Sequence, residues 1–284
     1  MVSGNDAAVC LAEFIGGSVD EFATMMNEKA STLGLTSSHF VTPHGLDQDE
    51  HYTTAYELAK IANYALKNET FAKIVKTSNY TININEKSKS LHNTNELLGY
   101  LDGVYGVKTG FTNGANRCLV TSCKRGNLDI ICVVLGCDTK KDRTLDSINL
   151  INYTFNNFSV VNIRDIINEN FEIWNTENAP CFNINKGKSS DLELYLNETQ
   201  IPFDSIAINN SLLNSIDTPI SFLANYEAPL PENTVIGKMN VNINDSTYFT
   251  IEILNKNLVE RKDFLYYLKF FMSTIGTGSF WSQV

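Results

Sequence analysis

Two short stretches of this 284-residue sequence carry side chains able to act together on a substrate. Lys108-Thr109-Gly110 sits inside text that reads as a strand, from Val107 to Phe111. Ser3-Gly4-Asn5 lies 105 residues earlier, where helical periodicity begins. A serine hydroxyl can relay a proton, and an asparagine amide both donates and accepts hydrogen bonds. A lysine brings fixed positive charge, and a glycine on a strand lets a ligand lie against bare backbone. Each residue also has a plainer reading. Ser3 and Asn5 suit a helix start, and Lys108 suits an edge strand that must discourage aggregation. His39, His44, Asp47 and His51 have metal-binding residue types. They fall in a Pro/Gly/Asp loop rather than at i, i+4 on a helix, so no metal site is expected there.

The elements that would position these residues alternate in type. Asp6 is expected to cap a helix through Ala7, Cys10, Leu11 and Phe14, ending at Gly16-Gly17. Ser18 with Glu21 and Thr54 with Glu57 are capping-box signals for two more helices. Tyr80, Ile82 and Ile84 alternate as a strand should. Strands are then expected at Val107–Phe111, Cys118–Lys124 and Leu128–Leu135, the last two joined by a turn at Arg125-Gly126-Asn127. A helix from about Asp142 to Phe158 would turn Leu145, Ile148 and Phe155 inward. This mixture indicates an α+β architecture. Beyond Phe158 helical periodicity fades into short alternating runs, among them Leu192-Leu194-Leu196, Ile206-Ile208, Val241-Ile243 and Thr250–Leu254. Such text is expected of a small all-β domain over 159–258. The tail, 259–284, reads as an amphipathic helix that either lies on a membrane surface or packs on its own domain.

Composition narrows the function. With 22 Lys+Arg against 32 Asp+Glu, the formal charge of −10 argues against nucleic-acid binding. No run of about 18 apolar residues occurs that would span a membrane. The six cysteines form no C-x-x-C pair. Four of them fall in the strand text between Arg117 and Asp138, where small buried thiols are expected, with a disulfide open in an oxidising compartment.

Taken together, Ser3-Gly4-Asn5, Thr42-Pro43-His44-Gly45-Leu46-Asp47 and Asp102–Thr112 resemble the low-molecular-mass penicillin-binding proteins, the serine-type D-alanyl-D-alanine carboxypeptidases. The resemblance covers most of 1–158 and implies a partial transpeptidase domain of the penicillin-binding-protein and β-lactamase kind, followed by the β-rich domain. It implies removal of the terminal D-Ala from peptidoglycan stem peptides through an acyl-enzyme, with β-lactams as inhibitors and no cofactor. It places Ser3, Asn5 and Lys108 in catalysis. Thr109, Gly110, the Phe111 N–H and Arg143 would bind substrate, Arg143 through the terminal carboxylate. It also implies an extracytoplasmic, wall- or membrane-associated location.

One family feature is missing from the text. No serine in the sequence has a lysine three positions later, and the nearest approach is Thr70-Phe71-Ala72-Lys73. In the family the Ser-x-x-Lys helix precedes the Ser-x-Asn loop. A segment upstream of Met1 would therefore account for both the missing nucleophile and the missing signal peptide. The chain as written is expected to be inactive alone. Two other classes fit in part: a non-catalytic peptidoglycan-binding module, and a β-lactamase, which the extra β-rich domain argues against.

Overall fold

The computed structural model describes residues 2–178, 182–190, 192–223 and 225–276. They divide into two compact units, Met1–Asn157 and Phe158–Val284.

In the first unit, α1 (Asn5–Gly16) and α2 (Val19–Thr32) pack together, and α3 (Ala55–Leu66) and α4 (Glu69–Lys76) follow. The expected cap of α1 is corrected: Gly4 occupies the cap position without a side-chain bond, and Asp6 lies in the first turn, where its charge meets the helix dipole. The Ser18 and Thr54 caps form as the sequence indicates, each hydroxyl accepting the amide three residues on. Asn68 caps α4 the same way. A polar hairpin, β1 (Asn79–Ile84) with β2 (Lys87–His92), turns through Asn85 and Glu86, both at positive φ. Positive φ at two central residues matches the twist of the flanking strands. Tyr80 and Ile84 point into solvent there, so the alternation of β1 does not mark a core face.

The central sheet is β3 (Val104–Thr112), β4 (Asn116–Arg125) and β5 (Leu128–Cys137), antiparallel and in that spatial order. Among the described residues, no strand pairs with the outer edge of β3 or of β5. Helix α5 (Lys140–Asn157) covers one face, where Leu119, Cys123, Cys132 and Val134 meet Ile151. Ala62 of α3 and Val75 of α4 cover the other, against Val107, Val120 and Ile131. Both faces are occupied, which is why β5 reads as nearly continuous apolar text, whereas β4 keeps its apolar residues to the middle of the strand. Along α5 the buried positions are Arg143, Ser147 and Ile151. Leu145, expected inward, is exposed, whereas Ile148 and Phe155 do pack on the core. Of the four strand cysteines, Cys123 and Cys132 are buried and Cys118 and Cys137 half-buried; all are free thiols. Cys181 lies outside the described residues.

The second unit is not all-β. After β6 (Phe158–Asn162) comes α6 (Ile163–Asn178), which buries Ile163, Ile167 and Phe171 in its core. Asn- and Glu-rich text hides that spacing from a periodicity reading. The strands β7 (Asn183–Asn185), β8 (Leu194–Leu196), β9 (Ser205–Asn209), β10 (Ile216–Asp217), β11 (Ile220–Phe222), β12 (Asn225–Glu227), β13 (Val235–Ile243) and β14 (Ser246–Asn255) follow. A five-stranded sheet runs β10-β13-β14-β8, with β11 also on β13; β6 pairs with β9, and β12 runs parallel to β7. The terminal α7 (Phe264–Gly276) leaves Phe264, Leu265, Tyr267, Phe270, Phe271 and Met272 exposed. No helix among the described residues is long and apolar enough to cross a membrane.

Glu57 shows how the loop before α3 is held. Its buried carboxylate accepts from the amides of Thr36 and Ser37 and from the Ser38 hydroxyl. The Ser38 hydroxyl, then those amides, hold its pKa below the ordinary carboxylate range, against the opposing effect of burial. A depressed folded-state pKa stabilises above the unfolded-chain value, and that contribution is lost as pH falls through the folded value. Glu57→Gln should therefore flatten the acid limb of stability against pH. Chemical denaturation from about pH 3 to 7 measures this.

Candidate active site

The free edge of β3 carries Lys108, Thr109 and Gly110. Lys108 is half-buried, and its Nζ donates to the carbonyl of Thr109 at 2.6 Å. Burial alone pulls its pKa below that of an ordinary lysine. The Thr109 hydroxyl lies 2.6 Å from the Thr94 hydroxyl. Phe111 is exposed, its ring covered by the guanidinium of its cross-strand partner Arg117, 3.7 Å from the ring centre.

Two glycines in this block differ in what they are for. A β-carbon on Gly106 would sit 2.8 Å from the Ser122 hydroxyl and 3.1 Å from Val75 Cγ2, so packing demands the glycine. A β-carbon on Gly110 would meet only Cys118 Cβ, at 3.5 Å, an ordinary contact. Nothing in this chain's own packing requires glycine at 110.

The strand is held from behind by a polar run that the sequence reading passed over, Asn93-Thr94-Asn95-Glu96. Asn93 donates to the carbonyls of Val75 and Thr77 at the end of α4, and its Oδ1 accepts the Asn95 amide. Asn95 is 2% exposed, and its Nδ2 donates to the Gly106 carbonyl at 2.9 Å. Glu96 accepts from Arg143 and from the Thr144 hydroxyl at the start of α5. The only sequence signal was the asparagine-rich turn before Leu97-Leu98, which marks a loop without naming its partners.

The loop Thr42–Asp47 has a structural role. Asp47 accepts the Gly114 amide at 2.9 Å, tying the loop to the β3–β4 turn. The Thr112 hydroxyl, then this amide, hold the Asp47 carboxyl below its usual range. His51 accepts the Val41 amide, His44 accepts that of Leu46, and His39 meets the Glu50 carbonyl. Their Nδ1 atoms are spent on backbone.

Ser3 is exposed at φ 59°, and Asn5 is half-buried at the first position of α1. Among the described residues, no hydrogen bond or ion pair joins either of them to Lys108. Arg143 departs from expectation. Its side chain is 4% exposed, with Nη2 ion-paired to Glu96 and Nε buried without a partner, so the guanidinium is enclosed by the protein rather than open to solvent.

A family model described as D-alanyl-D-alanine carboxypeptidase matches residues 1–139. Over 270 residues the chain is 31% identical to D-alanyl-D-alanine carboxypeptidase DacF of Bacillus subtilis, covering 95% of this chain. It is 30% identical over 257 residues to D-alanyl-D-alanine carboxypeptidase DacA of Escherichia coli, covering 86% of this chain. The chain belongs to the D-alanyl-D-alanine carboxypeptidase family. It spans 66% and 57% of the lengths of these two relatives. The structure of penicillin binding protein 5 from Haemophilus influenzae superposes with a TM-score of 0.62 at 27% identity, over 91% of this chain and 72% of that one. The α+β transpeptidase-like fold is therefore the family's own.

The glycine contrast is measurable. Gly106→Ala should lose roughly 1–3 kcal/mol through overpacking. Gly110→Ala should stay within about 0.5 kcal/mol of the parent in urea unfolding.

Proposed function

We propose that residues 1–284 carry the substrate-aligning part of a serine-type D-Ala-D-Ala carboxypeptidase site acting on peptidoglycan stem peptides outside the cytoplasm. The observation that carries this is the free edge of β3, with a lysine, a threonine hydroxyl and a glycine that packing does not require. A stem peptide would add to that edge as an extra strand, its backbone lying against Gly110 where no side chain intervenes. Lys108 and the Thr109 hydroxyl would take the terminal carboxylate, since charge-assisted hydrogen bonds are the stronger kind.

In the complete reaction a serine oxygen attacks the carbonyl of the D-Ala-D-Ala bond. The C–N bond breaks, the amine of the terminal D-Ala leaves with a proton, and water then hydrolyses the acyl-enzyme. Ser3 would relay the proton to that amine, and Asn5 would hold the substrate amide. The Phe111 N–H would donate to the oxyanion; one such donor is typically worth about 3–4 kcal/mol of barrier. The half-buried setting of Lys108 supports its part, because desolvation strengthens its field on a bound carboxylate. Arg143, already bonded to Glu96, enters the proposal as a fastener of the segment behind β3.

Residues 1–284 hold no serine with a lysine three positions on, so the same reading makes this chain a ligand-binding partner in catalysis rather than an acylating enzyme. β-Lactams, as stem-peptide mimics, would share the β3 edge. The exposed aromatics of α7 fit a membrane surface, where rings sit at headgroup depth.

Loss of a serine nucleophile costs about 10⁶-fold in kcat. Incubation of the chain with fluorescent penicillin should therefore leave no covalent label on a denaturing gel. An NMR titration with diacetyl-Lys-D-Ala-D-Ala should shift the resonances of β3, and Lys108→Ala should remove those shifts. A labelled band, or a titration that leaves β3 unmoved, defeats the reading.

A further inference from the structure

We infer that Thr94 is a positioning residue that fixes the hydroxyl of Thr109 at the edge of β3. The inference rests on the proposed role of that edge in binding a ligand carboxylate. Thr94 lies between two anchored residues. Asn93 is tied to the end of α4 by two hydrogen bonds. Asn95 is buried and tied to the carbonyl of Gly106, and its Oδ1 accepts the Leu97 amide at 3.1 Å. Glu96 extends the fixation to α5 through Arg143 and Thr144. The backbone at 94 therefore has little freedom, and its hydroxyl is delivered to one place, 2.6 Å from that of Thr109.

The chemistry gives that contact a direction. A carboxylate only accepts, so a Thr109 hydroxyl that binds one must donate to it. Its oxygen is then left as an acceptor, and the Thr94 hydroxyl supplies the proton that fills it. The relay runs Thr94 O–H to Thr109 O, then Thr109 O–H to carboxylate. Hydrogen bonds in such a chain polarise and strengthen one another. Lys108 Nζ, held on the Thr109 carbonyl, sits on the same residue and adds its charge. A threonine at 109 without its neighbour would rotate freely and pay ordering entropy each time it bound.

Thr94→Val removes the hydroxyl while keeping the branched shape, and Thr94→Ser keeps the hydroxyl while removing the methyl. Three-bond couplings should report a single Thr109 χ1 rotamer in the parent and in Thr94→Ser, and an averaged one in Thr94→Val. Thermal melts confirm that all three chains are folded, and Thr94→Ala substitutes for the valine variant if that one is not. In titrations with diacetyl-Lys-D-Ala-D-Ala, Thr94→Val should bind roughly tenfold more weakly, the scale of one hydrogen bond, and Thr94→Ser close to the parent. An unchanged rotamer in Thr94→Val overturns the inference, as does averaging without weaker binding. Failure of the parent itself to bind removes the proposed function instead. The couplings then decide alone whether Thr94 fixes Thr109.

Discussion

A strand that offers its edge to a ligand cannot be held by a neighbour on that side, so everything that keeps it in place must come from behind. In this chain pairing with β4 and the packing of Val107 on Ala62 and Val75 are joined by a buried amide, that of Asn95, reaching the carbonyl of Gly106. The bond is short of competitors because Asn95 is closed to water, and a buried polar group left unsatisfied costs more than the bond itself contributes. Around it the same four-residue turn grips α4, β3 and α5. The sheet pairing with β4 sets the register of β3, and the turn sets its position.

The electrostatics follow the same division. The protein is acidic overall, yet its half-buried Lys108 lies at the open edge with no carboxylate bonded to it among the described residues. Arg143, the stronger fork, is enclosed and matched with Glu96. Breaking such an enclosed pair by removing one member leaves an uncompensated charge, which binds the start of α5 and the Asn93–Glu96 turn to one another. One cation thus serves the fold, and the other is left for chemistry.

The sequence made β5 legible because both its faces are covered and its apolar run is nearly unbroken, and the turn residues Arg125-Gly126-Asn127 marked where β4 ends. The caps at Ser18 and Thr54 were legible because a hydroxyl three residues before an acid has a local meaning. Lys108-Thr109-Gly110 could be singled out by type and spacing. The Asn93–Glu96 turn could not, since its long-range bonds reach partners 11 to 48 positions away that no local pattern encodes. Helix α6 was missed because its inward residues Ile163, Ile167 and Phe171 are spaced among asparagines and acids that dilute the signal. The environment of Arg143 was also invisible, because its counter-ion Glu96 is 47 residues away.

The far side of the sheet repeats the geometry of β3 without its purpose. Among the described residues no strand lies beyond β5 either, and its text, Leu-Asp-Ile-Ile-Cys-Val-Val-Leu-Gly-Cys, has one charge in ten residues and no proline. Backbone groups on such a border accept any extended chain that arrives, including a second molecule's β5. At high concentration this chain would therefore be expected to self-associate through that border. Crowding and handling conditions, more than melting temperature, would then set how much of it stays in solution.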